Sequence, residues 1–350
     1  MKKVADIVLC VFVAAIVITG VLFFNYKPNQ TSVIEKRILA EPVSINEGLT
    51  DFMYSVECAV NDRIAFRDDI MKYYNKFIYF GLRGSHRDVM VGDDGWLFYR
   101  DDLADYTGTN IDRKKTQKQV EIIKTIDKWC KERNITFIMA IGLNKSTIYN
   151  NYMPKSILGV NKSNADYLVE MLRAENILVS YPKEELIRNR DEKELYMRLD
   201  THWNAYGAGY MFNDIIKIMG LSERDFMYDE EYIMDGDLLN MMGAGWNNAY
   251  SFSVSVQENP EAVVEKIPGT DHMYIHYDDA IKIVCYRDSF HFALVPFYEY
   301  YFEGPIRWTF DIDFDMVEQE KPKYLIFSCV ERFLDEAIEE NEDILNISVQ

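Results

Sequence analysis

The chain has 350 residues, of which 48% are hydrophobic and 14% aromatic, enough apolar surface to bury a large core in one domain or two. That composition excludes an intrinsically disordered chain. A formal charge of -19, from 38 basic and 57 acidic residues, argues against binding nucleic acid or an anionic membrane surface over a broad area, because both need cationic patches.

Lys2 and Lys3 precede an apolar run from Val4 to Phe24, interrupted only by Asp6 and long enough to cross the hydrocarbon layer as a helix. Positive charge at the amino end keeps that end cytoplasmic and puts everything after Asn25 outside. A cleaved signal peptide is the competing reading, but no small-x-small pattern follows the run: Gly20 is followed by Val-Leu-Phe-Phe. Residues 1–26 are therefore expected to form an uncleaved signal-anchor helix in the cell membrane. Residues 27–48, with Pro28 and Pro42, read as a stalk, and residues 49–350 as an extracytoplasmic domain.

From about Leu49 to Phe80, Phe52, Val56, Ala59, Val60 and Ile64 recur at helical spacing, and Gly81 is a stop. The Gly-rich turn and aromatic run of Val91 to Tyr99 predict a hairpin. Val120, Ile123, Ile126 and Cys130 mark a helix face, and Ile135 to Ile141 a strand. A second helix over Ser163 to Glu175 leads to a short strand, Ile177 to Ser180. Ala208, Met211, Phe212, Ile215, Ile216 and Met219 follow three-four spacing, with Gly220 to end that helix. Met234 to Asp271, polar and glycine-bearing, reads as a loop or insertion. Ile281 to Tyr286 reads as a buried strand, His291 to Phe302 as an aromatic helix with Pro296 near its start, and Lys323 to Val330 as the last strand. Strands separated by helices predict an α/β fold with a mainly parallel sheet covered on both faces. In such sheets functional groups collect at the carboxyl ends of strands, and Ser289 lies just past Tyr286.

Of the cysteines, Cys10 falls in the anchor, and Cys58, Cys130, Cys285 and Cys329 match no metal-ligand spacing. They read as buried thiols; a Cys285 to Cys329 bridge requires that their strands be neighbours. His86, His272, His276 and His291 show no partnered spacing, and no metal site is expected.

The remaining histidine sits in Asp200-Thr201-His202-Trp203, and well downstream comes Asp288-Ser289-Phe290. Brought together, these segments supply a carboxylate, an imidazole and a hydroxyl, the parts of a serine acyl-transfer site. A serine hydroxyl needs a base to remove its proton as it attacks, and a carboxylate on the far ring nitrogen fixes the tautomer of that base. In an extended segment residues two apart share a side, so Asp200 and His202 converge while Thr201 points away. Plainer readings stand beside these: a helix cap for Asp200, a structural histidine for His202, a turn serine for Ser289. Asn144, just past a strand, is either an oxyanion donor or a turn residue. Trp203 is either a sugar-stacking wall or core, and Glu331 and Arg332 either reach the cleft or begin a charged helix.

Several elements follow one another along the chain: Asn61-Asp62-Arg63-Ile64-Ala65-Phe66-Arg67-Asp68, Gly92-Asp93-Asp94-Gly95-Trp96-Leu97-Phe98-Tyr99, Asn144-Lys145-Ser146-Thr147-Ile148-Tyr149, Asp200-Thr201-His202-Trp203, Gly236-Asp237-Leu238-Leu239-Asn240 and Arg287-Asp288-Ser289-Phe290. In this order they resemble the AlgX/AlgJ and DHHW group of SGNH-hydrolase-like proteins, exported O-acetyltransferases of bacterial polysaccharide modification. The resemblance implies a permuted SGNH-hydrolase-like fold, a three-layer α/β/α sandwich. It implies Ser289 as the acetyl-carrying nucleophile, His202 as base and Asp200 as its orienting acid. It further implies a polysaccharide acceptor, association with a polysaccharide synthase complex, and a membrane-bound O-acyltransferase (MBOAT type) as donor partner. No bound cofactor is implied, since the acetyl group comes from that donor.

Two residues depart from the family pattern. Arg287 stands where many members have the Gly of Gly-Asp-Ser, and Thr201 replaces the first His of Asp-His-His-Trp. A glycine lets backbone approach a ligand closely, so Arg287 alters the surroundings of the oxyanion and substrate, where the Ser289 N–H can still donate. The net negative charge favours a neutral or amino-sugar polymer, such as cellulose. Two other outcomes stay open: an exported carbohydrate esterase, if water takes the acyl group, and a non-catalytic polysaccharide-binding scaffold.

Overall fold

The structure, a computed structural model, describes residues 88–242 and 250–347, with isolated positions before residue 88. The expected anchor at 1–26, stalk at 27–48 and helix at 49–80 lie, but for such isolated positions, outside the described residues. Among the described residues no helix is long and apolar enough to cross a membrane. The chain divides into two compact units. In the first, Met1–His86 with Leu239–Asn247, the strands Thr31–Ser32 and Arg37–Ile38 pair antiparallel. The second, Arg87–Leu238 with Asn248–Gln350, holds every expected site residue.

The second unit opens with an antiparallel hairpin, β1 (Val89–Val91) and β2 (Leu97–Tyr99). Helix α1 (Arg113–Glu132) starts where the Asp112 carboxylate accepts from the N–H groups of Lys114 and Lys115, and it buries Val120, Ile123, Ile126 and Cys130. Strand β3 (Thr136–Gly142) follows, then α2 (Asn164–Ala174), opened by a capping box between Ser163 and Asp166, then β4 (Leu178–Ser180). The Asn204 side chain caps α3 (Ala205–Ile218), which ends before Gly220 at φ 70°, a conformation that favours glycine. Strands β5 (Tyr228–Ile233) and β6 (Ser251–Val256) form a separate antiparallel ribbon. After β7 (Val263–Lys266) and β8 (Met273–His276) come β9 (Ile281–Arg287), β10 (Phe302–Trp308), β11 (Tyr324–Val330) and α4 (Leu334–Glu339).

A mixed sheet of seven strands runs in the order β4-β3-β11-β9-β10-β8-β7. From β4 to β10 the strands are parallel, while β8 and β7 are antiparallel. β3, β9 and β11 are buried along nearly their whole length, as strands covered on both faces must be. Helix α1 packs against β3, α2 and α4, and α3 packs against β3 and β4. Burial of these apolar runs is the main stabilising term, so truncating a fully buried residue such as Ile326 to Ala costs about 2–5 kcal/mol.

Two sequence expectations change. Met234 to Asp271 is not a loop throughout, because it contains β6 and β7. The first alternates serine with Phe252, Val254 and Val256, a period of two that marks a strand and was passed over, and the second is a mostly exposed edge strand with no apolar run. His291 to Phe302 is not one helix: a 3-10 turn, Phe290–Leu294, leads into a short helix, Val295–Tyr298, and Phe302 already opens β10. Phe290, Leu294, Phe297, Tyr298 and Phe302 are all buried, and a segment without a polar face has no helical period to read. Cys285 and Cys329 lie on neighbouring strands but out of register, Cys285 opposite Ile326, and both thiols are free and buried.

Because β3, β9 and β11 run parallel, their carboxyl ends bring Asn144, Asp288–Ser289 and Glu331–Arg332 toward one edge of the sheet.

Candidate active site

Asp200, Thr201 and His202 lie in a tight bend before α3 rather than in an extended strand. Across its base Tyr196 and Trp203 form an antiparallel bridge, the Met197 N–H donates to the His202 carbonyl, and the Asn204 N–H donates to the Leu195 carbonyl. A bend this tight turns carbonyls inward, where each needs a donor. The ammonium of Lys145 serves those of Met197, Arg198 and Asp200. Burial pulls the Lys145 pKa down to about 8, against the opposing pull of Asp200, Asp237 and Asp102.

The bend folds the Asp200 carboxylate back onto His202. Its Oδ1 accepts from the His202 N–H at 2.9 Å and meets Nδ1 at 2.6 Å, while Oδ2 accepts from the Asp237 N–H at 2.8 Å. Burial alone would raise the Asp200 pKa, but these donors outweigh it and hold the value down at about 2. An ionised carboxylate only accepts, so Nδ1 carries the proton and Nε2 keeps a lone pair. That nitrogen lies 3.3 Å from Ser289 Oγ.

Thr201 does not point away, as strand alternation would require. In the bend its hydroxyl donates to Asp237 Oδ2 and lies 3.2 Å from His202 Nδ1, and its N–H donates to Asp237 Oδ1 at 2.7 Å. Asp237 reaches this spot because residue 236 is glycine; a Cβ there would collide with the Leu199 carbonyl oxygen. Asp200, His202 and Asp237 bring donor atoms within 4.8 Å of one another, a spacing a metal ion can use. Here those atoms are engaged with one another and with Thr201, which is the pattern of an oriented imidazole.

Ser289 follows the carboxyl end of β9 and leads into the 3-10 turn with unstrained φ and ψ of -65° and -31°. Its neighbour Asp288 anchors that turn. Oδ2 accepts from the Val330 N–H at the end of β11 at 2.8 Å; Oδ1 accepts from the His291 N–H at 3.0 Å and meets its Nδ1 at 2.8 Å. Burial would raise the Asp288 pKa, but His291 and these backbone donors bring it below the ordinary value. Ser289 and His202 open on a cavity of about 470 Å³, also bordered by Trp203, His272, Phe292 and Trp308.

The structure thus brings Asp200, His202 and Ser289 together and distributes the other expected residues around them. Trp203 is buried and donates its indole N–H to the Phe290 carbonyl at 3.0 Å, so it is core that also borders the cavity. Asn144 is buried off the cavity wall, with Nδ2 donating to Asp105 at 2.8 Å and Oδ1 accepting from Arg332 at 3.3 Å. The side-chain oxyanion donor expected at Asn144 is therefore engaged elsewhere. Arg332 is part-buried beside it and reaches Asp102 at 3.4 Å, while Glu331 accepts from the Asn144 N–H and the Thr147 and Tyr181 hydroxyls. Asp102, Asn144, Glu331 and Arg332 do not border the cavity, so this network lies behind the site, and burial raises the Asp102 pKa to about 6 and that of Glu331 to about 7.

Arg287 is buried, and its Nη1 donates to the Asp288 carbonyl at 2.9 Å. Sequence reasoning missed Lys145 and Asp237, although both lie in quoted motifs, because nothing local marks a lysine as buried or a distant acid as converging. It also missed the histidine partners: His291 with Asp288, His276 with Glu265, and His272 accepting from the Trp308 N–H.

The family model of an SGNH hydrolase-like domain, acetyltransferase AlgX, matches residues 89–265. No curated protein matches the chain. Among solved structures, the chain is similar to the O-acetyltransferase domain of Pseudomonas putida AlgJ, at 14% identity and a TM-score of 0.52, covering 73% of this chain and 98% of that one. It is similar to Bacillus cereus PatB1 with a sulfonyl adduct, at 15% and 0.56, covering 71% and 97%. It is also similar to a DHHW family protein from Eubacterium siraeum, at 15% and 0.51, covering 65% and 88%. The likeness is one of fold, an SGNH-like α/β architecture around a mixed, mostly parallel sheet.

Proposed function

The chain belongs to the SGNH hydrolase-like acetyltransferase family of AlgX, and we propose that it moves an acetyl group through Ser289 from a donor ester to a hydroxyl of a polysaccharide. One line of contacts carries this reading: Asp200 Oδ1 to His202 Nδ1 at 2.6 Å, then His202 Nε2 to Ser289 Oγ at 3.3 Å, opening on the cavity.

In the first half-reaction His202 Nε2 takes the Ser289 proton as Oγ bonds to the acetyl carbonyl carbon. The proton passes to the departing donor oxygen as its bond to that carbon breaks, leaving acetyl-Ser289. An acceptor hydroxyl then gives its proton to Nε2 and attacks, and Ser289 Oγ recovers a proton as it leaves. Asp200 stabilises the imidazolium in each half. Charge on the carbonyl oxygen needs a fixed donor, and the Ser289 N–H is suited to it. In a trans peptide the N–H points opposite to the carbonyl; Arg287 holds the Asp288 carbonyl and thereby fixes that N–H.

The apolar run at 4–24 supports an anchor with this unit outside the cell. The donor is then a membrane-bound O-acyltransferase, and the acceptor a surface or secreted polysaccharide made by a neighbouring synthase. Full-length protein in detergent, given 4-nitrophenyl acetate and cellopentaose, should yield acetylated sugar, and Ser289→Ala should yield none above the uncatalysed rate. Free acetate as the sole product with sugar present converts the reading to a carbohydrate esterase. Unchanged polymer acetylation in cells carrying Ser289→Ala leaves a polysaccharide-binding scaffold instead.

A further inference from the structure

Two large aromatic side chains stay open to solvent beside Ser289: Phe292 is 49% exposed and Trp308 41%. Both border the cavity that holds Ser289 and His202. Trp308 ends β10, and the parallel register sets it directly opposite Arg287 at the end of β9. The Arg287 guanidinium carbon lies 5.2 Å from the Phe292 ring centroid and 5.3 Å from that of Trp308, so one buried cation fixes both rings. Arg287 is thus a bracket for two aromatic faces.

Around these rings stands a polar rim made by Lys266 at the end of β7 and by Thr270, Asp271 and His272 of the β7–β8 turn. His272 Nδ1 accepts from the Trp308 N–H at 3.0 Å, so it carries no proton there and Nε2–H remains as a donor. An apolar floor with donors and an acceptor at its edge is amphipathic in the same way as a pyranose, which has a C–H face and a rim of hydroxyls. The cavity, about 470 Å³, far exceeds what a two-carbon acetyl group fills.

We propose that Phe292 and Trp308, bracketed by Arg287, form the acceptor subsite on which a pyranose ring stacks, with the β7–β8 turn binding its hydroxyls. This rests on the acetyl-transfer reading, because it names where the sugar sits relative to Ser289. The stacking face is common to neutral sugars and uronates, so both are used as probes.

The test is direct binding to full-length Ser289→Ala protein by calorimetry, with cellopentaose in one arm and a galacturonate pentamer in the other. Trp308→Ala and Phe292→Ala, each on that background, should weaken binding of whichever oligosaccharide binds by about tenfold. Both residues are exposed, so either truncation spares most of the core, and an unchanged urea midpoint in each variant shows that the fold is kept. In active protein the same changes should raise the sugar concentration at half-maximal transfer more than they lower the saturated rate. Unchanged binding in both variants, or no binding of either oligosaccharide at millimolar concentration, overturns the proposal. Turnover of 4-nitrophenyl acetate by the parent, lost in Ser289→Ala, reports separately on the acetyl-transfer reading. Trp308-dependent binding without that turnover keeps the subsite and removes the transferase.

Discussion

Two aspartate–histidine pairs stand beside Ser289, alike in local chemistry and unlike in surroundings. In each, one carboxylate oxygen accepts the histidine backbone N–H and meets its Nδ1: Asp200 Oδ1 with His202 at 2.9 and 2.6 Å, Asp288 Oδ1 with His291 at 3.0 and 2.8 Å. Both carboxyl groups are held below their ordinary pKa by these donors, against the opposing effect of burial. The second ring nitrogen separates them. His202 Nε2 faces Ser289 Oγ at the cavity, whereas His291 is 1% exposed and its Nε2 has no hydrogen-bond partner among the described residues. The same bonding pattern can orient a base or staple a turn, and access to the far nitrogen decides which.

Activity offers the strongest way to break this comparison. His202→Ala should lower kcat/KM for 4-nitrophenyl acetate by about 10³-fold or more, and His291→Asn by no more than about tenfold. Equal losses would erase the distinction between base and staple. Stability should sort the pairs in the opposite order. His291→Asn breaks a buried bond to an ionised carboxylate and should cost about 1–3 kcal/mol in urea unfolding, with His202→Ala costing less because its ring is partly open.

The acid limb sharpens the comparison with a smaller effect. Asp200 and Asp288 have folded pKa values below the unfolded value of about 3.9. The stability each contributes is therefore fully present above about pH 3.9 and is lost as pH falls toward the folded value, about 2 for Asp200. Asp200→Asn and Asp288→Asn should each make unfolding free energy less pH-dependent between about pH 4 and 2. A slope unchanged in both variants would mean that these carboxylates titrate alike in the folded and unfolded chain.

Much of this was legible in the sequence. The α/β alternation was readable because α1, α2 and α3 each carry an apolar stripe with a capping residue, and β3, β9 and β11 are apolar along most of their length. Asp200, His202 and Ser289 were named from residue chemistry, and the fold brings them together. β5 and β7 stayed hidden because exposed strands need no apolar pattern. Thr201 was misread because alternation assumes extended backbone and the segment is a bend. Lys145 and Asp237 depend on which carbonyls and N–H groups converge in space, which residue spacing does not encode, whereas the Asp288–His291 pair is a three-residue spacing that the reading passed over.

The most direct measurement is mass spectrometry of full-length protein quenched within seconds of mixing with 4-nitrophenyl acetate. The expected result is one acetyl group on the peptide bearing Ser289, absent from His202→Ala and discharged when an accepting oligosaccharide is added. Acetylated sugar formed while Ser289 stays unmodified, and formed equally well by Ser289→Ala, would contradict the acyl-serine route.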